Sequence, residues 1–292
     1  MILGDEIENG IRHRGKPKPI GIAAAEIRST VLMEQLFEVV FEDEDLLVVN
    51  KPAGLVCHPT KGDVFSSLIS RVRLYLKQDE AHLVNRLDRE TSGIVLVAKN
   101  NAAAGRLGKT FEQRCVLKEY LAIVHGIVRE KHRLIEAPLG KDENSSVAIK
   151  GCVRSDGASA RTEIWVERQF KRDDGSFTML RVSPLTGRKH QIRIHLAHCG
   201  HPIVGDKLYG GDENLYLDFV RGRLTDEQHR RLVLPLQALH AGKVEIPWAG
   251  RTHTFEARAE RWFSNFVCAD ETRTDCELHS HGPRQKLEVV SN

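Results

Sequence analysis

Asn85-Arg86-Leu87-Asp88-Arg89-Glu90-Thr91-Ser92-Gly93, followed without a break by Ile94-Val95-Leu96-Val97-Ala98, reads as a charged loop running straight into a strand. The second half is a pure run of strand-forming residues, as expected of a core strand. Asp88 has an arginine two places before it and another directly after it. Positive charge on both sides favours the ionised form of a carboxyl. Taken alone, the stretch reads first as a charged turn leading into the core.

Working outward, the neighbouring patterns set the fold class. Phe37 to Phe41 and Leu46 to Asn50 are two β-rich runs joined by Glu42-Asp43-Glu44-Asp45, which predicts a hairpin. Lys51-Pro52-Ala53-Gly54 ends the second run in a defined bend, because proline cannot continue a ladder and glycine tolerates unusual backbone angles. Asp63 is the expected N-cap of a helix carrying Phe65, Leu68, Ile69, Val72 and Leu76 at helical spacing. A second helix is expected from Asn101 to Gln113, with Ala104, Leu107 and Phe111 on one stripe. Leu117 to Val128 alternates as a strand, and residues 129 to 160 read as a loop-rich surface excursion. Strands return at Thr162 to Phe170, Phe177 to Val182, Lys243 to Ile246 and Thr252 to Ala257, with a polar stretch to about Arg231 between them. A short helix from Arg261 to Val267 closes the body. Strands outnumber helices and come in adjacent pairs, the signature of an α+β fold with a mostly antiparallel mixed sheet and flanking helices. The expected division is an extension over 1–36 (with a possible short helix from Ala23 to Leu36), a folded domain over 37–268, and a polar, aperiodic, disordered tail over 269–292.

The 292 residues are 41% hydrophobic with a formal charge of +3, so a sizeable core is expected and any nucleic-acid footprint must be a local basic patch. There is no apolar run long enough to span a membrane and no secretory signal pattern. Six cysteines without Cys-x-x-Cys spacing fit reduced thiols, hence a cytoplasmic protein. Neither a phosphate-binding glycine loop nor Gly-x-Ser-x-Gly is present, which weakens nucleotide-dependent and serine-hydrolase readings.

The densest cluster of polar groups is Thr186-Gly187-Arg188-Lys189-His190-Gln191-Ile192-Arg193-Ile194-His195, continuing to His201. On a helix, Lys189 and Arg193 lie one turn apart. With Arg188, His190 and Gln191 they form a donor surface suited to phosphates and base edges, while Ile192, Ile194, Leu196 and Ala197 anchor the helix. A metal site built from His195, His198, Cys199 and His201 is the rival, but Arg188, Lys189 and Arg193 would repel a cation and no second ligand cluster exists, so no metal is expected. A solvated basic helix without function is the third reading.

Four separated segments together resemble the RluA-type pseudouridine synthases, which isomerise uridine in RNA. They are Asn50-Lys51-Pro52-Ala53-Gly54 with His58-Pro59, Arg86-Leu87-Asp88-Arg89 with Thr91-Ser92-Gly93, Lys118-Glu119-Tyr120, and Thr186-Gly187-Arg188 through His195 with His201-Pro202 and Gly205-Asp206. They run in the family's order from about residue 37 to 258. The resemblance implies the pseudouridine synthase fold with a central cleft, and Asp88 as the catalytic aspartate paired with Arg193. Tyr120 would then lie against a flipped uridine and could assist proton removal. Arg86, Arg89, Arg188, Lys189, His190, Gln191 and His195 would contact RNA, which must present its base out of the stack. No cofactor is implied; the partner is a stem-loop of rRNA or tRNA, and the protein is expected to act as a monomer. A catalytically silent RNA-binding protein of the same fold is the alternative. Two departures stand out. Asn85 replaces the histidine usual before Arg-Leu-Asp, and the N-terminal lead does not fit the small S4-type RNA-binding domain that many relatives carry.

Overall fold

The computed structural model describes residues 37–59 and 67–268. The expectations for the N-terminal extension, for Asp63 as an N-cap and for the tail fall outside these residues. The main sheet has ten strands, ordered β1 (Glu38–Glu42), β2 (Leu46–Lys51), β4 (Ser92–Ala98), β11 (Leu239–Trp248), β5 (Leu117–His125), β10 (Gly175–Pro184), β9 (Arg161–Arg172) and β6 (His132–Glu136). β3 (His82–Leu83) pairs with β4, and β12 (Arg251–Glu256) with β11. Every ladder of this sheet is antiparallel except β4 with β11. The fold is α+β, as the paired strands of the sequence imply.

β2 and β4 are continuous apolar runs because both their faces are covered. Leu47, Val49, Val95 and Val97 pack with Leu68, Ile69 and Val72 of α1 (Leu68–Leu76). The alternate residues Leu46, Val48, Ile94 and Leu96 pack with Ala103 and Leu107 of α2 (Asn101–Glu112) and with Phe255 of β12. Ser67 caps α1 and Asn100 caps α2, each accepting a backbone N–H of the first turn. A second core fills the β5–β10–β9 half, closed by Ile192 and Leu196 of α3 (Gln191–His198) and by Phe263 and Phe266 of α6 (Arg261–Cys268).

The parallel β4–β11 contact sets the centre of the molecule. Gly93 lies opposite Ala241, which in turn lies opposite Tyr120. Gly93 has φ +114°, and a Cβ there would stand 2.3 Å from the carbonyl oxygen of Ala241, so only glycine lets β11 approach. That approach brings the loop ahead of β4, which carries Asp88, next to Tyr120 of β5.

Two stretches differ from expectation. Residues 129–160 are not an irregular excursion: they contain β6 at the edge of the main sheet and a separate ribbon of β7 (Leu139–Lys141) with β8 (Gly151–Val153). The polar stretch before residue 231 holds α4 (Asn214–Val220) and α5 (Asp226–Leu232). α5 is fixed by a reciprocal cap, in which Thr225 accepts from the Gln228 backbone and the Gln228 side chain accepts from the Thr225 backbone.

Candidate active site

The Asp88 loop is held by its backbone from several directions. The Thr91 amide donates to the Asp88 carbonyl (3.1 Å), and the Gly54 amide donates to that of Arg89 (2.9 Å). Lys51, fully buried, donates from Nζ to the carbonyls of Pro52 (2.9 Å), Leu55 (2.8 Å) and Arg89 (3.2 Å), stitching the Pro-Gly bend to the loop. Burial pushes the Lys51 ammonium down to about 8. Cys57 contributes a thiol that donates to the Leu87 carbonyl, and its own ionisation is pushed up by burial. Beside Asp88, Glu90 forms a buried ion pair with Lys207 at 2.8 and 3.0 Å.

The carboxylate of Asp88 receives a 2.7 Å hydrogen bond from Nη1 of Arg193. Arg193 commits Nε and Nη2 to Asp206, at 2.7 and 2.8 Å. Asp206 also accepts the amides of Leu208 (2.9 Å) and Tyr209 (3.1 Å). Burial alone would raise the Asp206 carboxyl, but the charge and hydrogen bonds of Arg193 outweigh it and hold the group below its usual range. Burial opposes the Arg193 charge in the same way, and the two carboxylates more than compensate. One cation shared between two acids leaves Oδ1 of Asp88 without a short hydrogen bond. Nε2 of His190 stands 3.7 Å from it.

These groups line a cleft of about 540 Å³ with Arg86, Lys118, Arg188 and Lys189 around its rim and Tyr120 in its wall. Five cationic side chains against one carboxylate make the lining basic, although the whole chain carries only +3. The Tyr120 hydroxyl has no hydrogen-bond partner among the described residues. Its ionisation is pushed up, first by burial and then by Asp88, so the phenol is protonated at neutral pH and is not poised to take a proton. A larger hollow of about 750 Å³ beside Trp248 has no such convergence; its Arg106 is already paired with Asp45 and stacked over Trp248.

The structure gathers some of the expected residues and separates others. Asp88, Arg193 and Tyr120 come together at the cleft, and Arg86, Arg188 and Lys189 are exposed on it. Arg86 and Arg89 are not the partners of Asp88: Arg89 turns to the Gly54 carbonyl and the ring of Phe219. Lys189 does not share a helix face with Arg193, because α3 begins only at Gln191 and His190 takes a left-handed conformation (φ 55°) ahead of it. Gln191 is buried, accepting from Thr186 and the Arg188 amide and donating to Arg161 and Thr162. His195 is buried between Thr162 and the Ala137 carbonyl. Neither side chain is free to meet RNA, and both ring nitrogens of His195 are already committed within the fold. Tyr209 and the Glu90–Lys207 pair are site elements that sequence reasoning passed over, and Asp206 is seen there only as part of a motif. A Gly-Asp-Lys-Leu-Tyr-Gly run carries the signal, since a lone acid and base among apolar and glycine residues must find partners.

The RNA pseudouridylate synthase family matches residues 45–198, more than half of the chain. The chain belongs to that family. A pseudouridine synthase of Bacillus subtilis is 33% identical over 237 residues, covering 78% of this chain and 71% of the relative. Ribosomal large subunit pseudouridine synthase C of Pasteurella multocida is 37% identical over 217 residues, covering 74% and 62%. An RNA pseudouridine synthase of Aquifex aeolicus is 34% identical over 212 residues, covering 70% and 63%. The chain thus spans a little under two thirds of the length of the last two. Among solved structures, human RNA pseudouridylate synthase domain containing 1 superposes with a TM-score of 0.63 at 26% identity, covering 80% of this chain and 86% of that one. The Asn85 side chain has a local structural role. Asn85 donates to the Ile94 carbonyl (3.2 Å) and accepts the Leu96 amide (2.8 Å), so its side-chain amide extends the β3–β4 ladder.

Proposed function

We propose that this chain isomerises uridine to pseudouridine in a folded RNA, with Asp88 as the nucleophile. What supports the reading above all is the carboxylate of Asp88 at the floor of a basic cleft, held through one oxygen by a guanidinium that is itself anchored on Asp206. The free oxygen attacks either the uracil ring or C1′ of the ribose. The N1–C1′ bond breaks, the uracil turns in the pocket, and a C5–C1′ bond forms; C5 gives up its proton and N1 gains one, so atoms balance without a cofactor. The uridine must leave its stack to reach the acid, and exposed Arg86, Arg188 and Lys189 are placed to hold phosphates while Tyr120 packs on the base. The neutral phenol of Tyr120 serves as a surface and donor rather than as the base. The names of several relatives point to large-subunit ribosomal RNA as the first RNA to examine, with tRNA as the second. The described cysteines are free thiols, as suits a protein we place in the cytoplasm, acting as a monomer.

Asp88→Asn is nearly isosteric. It is expected to abolish pseudouridine formation on unmodified transcripts while the melting temperature and RNA binding persist. Conversion at the wild-type rate would overturn the mechanism. Wild-type protein that binds RNA but converts no uridine in any transcript would make it a silent binder of the same fold. Mapping pseudouridines across rRNA and tRNA in cells with and without the protein identifies the target.

A further inference from the structure

Among the described residues, five non-glycines have positive φ, and of these only His190 lines the cleft. A left-handed backbone at such a residue costs on the order of 1–3 kcal/mol and persists only where its surroundings dictate it. The ring it presents is tied at both ends. The Gly151 amide, which can only donate, gives its hydrogen to Tyr209 Oη at 3.1 Å. Burial pushes the Tyr209 hydroxyl up to about 12, so it keeps its own proton. That proton has Nδ1 of His190 within reach at 2.9 Å. With the phenol hydrogen turned towards it, Nδ1 is the acceptor of the ring. Burial, reinforced by the charges of Arg193 and Lys189 against the opposing pull of Asp88, pushes the imidazole down to about 4, so it is neutral at pH 7 and carries its single proton on Nε2. Nε2 faces Oδ1 of Asp88, the oxygen that Arg193 leaves free. The His190 side chain lines the cleft while only 7% exposed.

Resting on the isomerase reading, we propose that His190 is a positioning residue for Asp88: the Gly151–Tyr209–His190 chain fixes the Nε2–H tautomer, and that N–H aims the attacking oxygen of the carboxylate. The same chain rules the ring out as a proton acceptor, because the lone pair of Nδ1 is filled by the tyrosine. At 3.7 Å the contact is longer than a hydrogen bond. Closure by less than about 1 Å on substrate binding completes it, as catalytic contacts often tighten only in the complex. Tyr209 serves doubly, since its ring also lies under the Arg193 guanidinium, 5.0 Å from the centroid.

The direct test is nitrogen NMR of the full-length protein labelled at histidine, at pH 7, with the His190 ring assigned by its absence from His190→Gln. The expected result is one protonated nitrogen, Nε2, and one unprotonated nitrogen, Nδ1, with both tautomers populated in Tyr209→Phe. In turnover, His190→Leu should lower kcat by about tenfold to a hundredfold, below the loss typical of deleting one charge-stabilising donor. KM for the RNA should change little, and His190→Gln, which restores an N–H donor, should recover most of the loss. A ring protonated on Nδ1 or on both nitrogens would overturn the proposal, as would wild-type kcat in a folded His190→Leu. If the leucine variant does not fold, the tautomer in the wild-type protein decides alone. An inactive Asp88→Asn together with an Nδ1–H ring sinks only the role of His190. An active Asp88→Asn sinks the nucleophile assignment on which that role rests.

Discussion

Replacing Asp206 by Asn tests whether the Arg193 clamp is as buried and as charge-dependent as it looks. The Asp206 side chain is fully buried and that of Arg193 is 9% exposed. An asparagine keeps one oxygen for the Leu208 and Tyr209 amides but turns an NH₂ towards the guanidinium. The charge-assisted bond from Nε to the other oxygen, worth about 1.5–3 kcal/mol, is lost, and the bond from Nη2 to the kept oxygen loses the negative charge of its acceptor. Breaking a buried pair from one side costs about 3–5 kcal/mol, and Asp88 remains as a second counter-ion, so the lower end applies, ~3 kcal/mol. For a domain of roughly 200 residues that is a fall of about 6–12 °C in Tm. The acid limb should also flatten. The folded carboxyl lies below its ordinary 3.8, so the unfolded chain binds the extra proton and stability drops as pH falls through and below that value. Asp206→Asn should lack that component. Urea unfolding followed by tryptophan fluorescence at pH 7 and at about pH 3, inside the window below the unfolded value, measures both effects. A loss under about 1 kcal/mol, or an acid limb identical to the wild type, would refute the account. The double variant Asp206→Leu with Arg193→Met should regain most of the lost stability, since well-packed apolar groups replace buried pairs at little or no cost, yet form no pseudouridine.

Lys51 carries its charge in the interior with a folded value of about 8 against 10.5 when exposed. The unfolded chain therefore binds more protons between those values, and stability should rise by about 3 kcal/mol as pH climbs through that window; Lys51→Met should abolish the rise in urea titrations at pH 7.5 and 10. Gly93→Ala places a methyl 2.3 Å from the Ala241 oxygen in a backbone region closed to alanine. The cost should exceed about 3 kcal/mol, read as loss of soluble protein or of the cooperative melt, and a normal Tm would contradict the close β4–β11 approach. Asn85→Ala removes both ladder-like bonds to β4 and should cost about 1–3 kcal/mol in stability with a smaller effect on kcat than on Tm. A large kcat loss at unchanged Tm would place Asn85 in substrate contact instead.

Much of the architecture is legible in the sequence because its strongest signals are local. β2 and β4 announce themselves as unbroken apolar runs, and α2 by its Ala-Leu-Phe stripe. The Asp88, Tyr120 and Arg193 segments are readable as motifs, though nothing local says that three strands of one sheet and a distant helix bring them within reach. The misreadings have physical causes. Lys189 was expected on a helix face because periodicity cannot detect the left-handed turn at His190 that delays the helix by two residues. β7 and β8 are three-residue strands between prolines and glycines, too short for any period to register. α4, Asn-Leu-Tyr-Leu-Asp-Phe-Val, is apolar on all sides and too short for a helical period to register, whereas α5 carries little apolar pattern and is fixed by a capping box, a signal present at Thr225–Gln228 that hydrophobic periodicity alone overlooks. Gln191 and His195 looked like RNA donors since exposure cannot be read from residue type, whereas their partners, Thr162, Arg161 and Ala137, come from strands and loops far along the chain.

Two buried ionic units flank the same loop: Asp88–Arg193–Asp206 on one side and Glu90–Lys207 on the other. Neither is explained by stability. The apolar clusters on both faces of β2 and β4 and around β5, β10 and α6 already close the core, and taking such ions out of water costs about as much as their attraction returns. What they provide is direction. A guanidinium fork with two of its donors on Asp206 has one orientation left for the third, and that orientation fixes one oxygen of Asp88. Lys207, held by Glu90 and by the Gly205 and Pro235 carbonyls, joins the loop after Asp88 to the segment that carries Asp206. Both acids of the arginine clamp therefore move as one unit with their cation. A carboxylate that must stay charged, keep one oxygen bare and face a cleft needs this arrangement, and a hydrophobic replacement of equal stability would lose it.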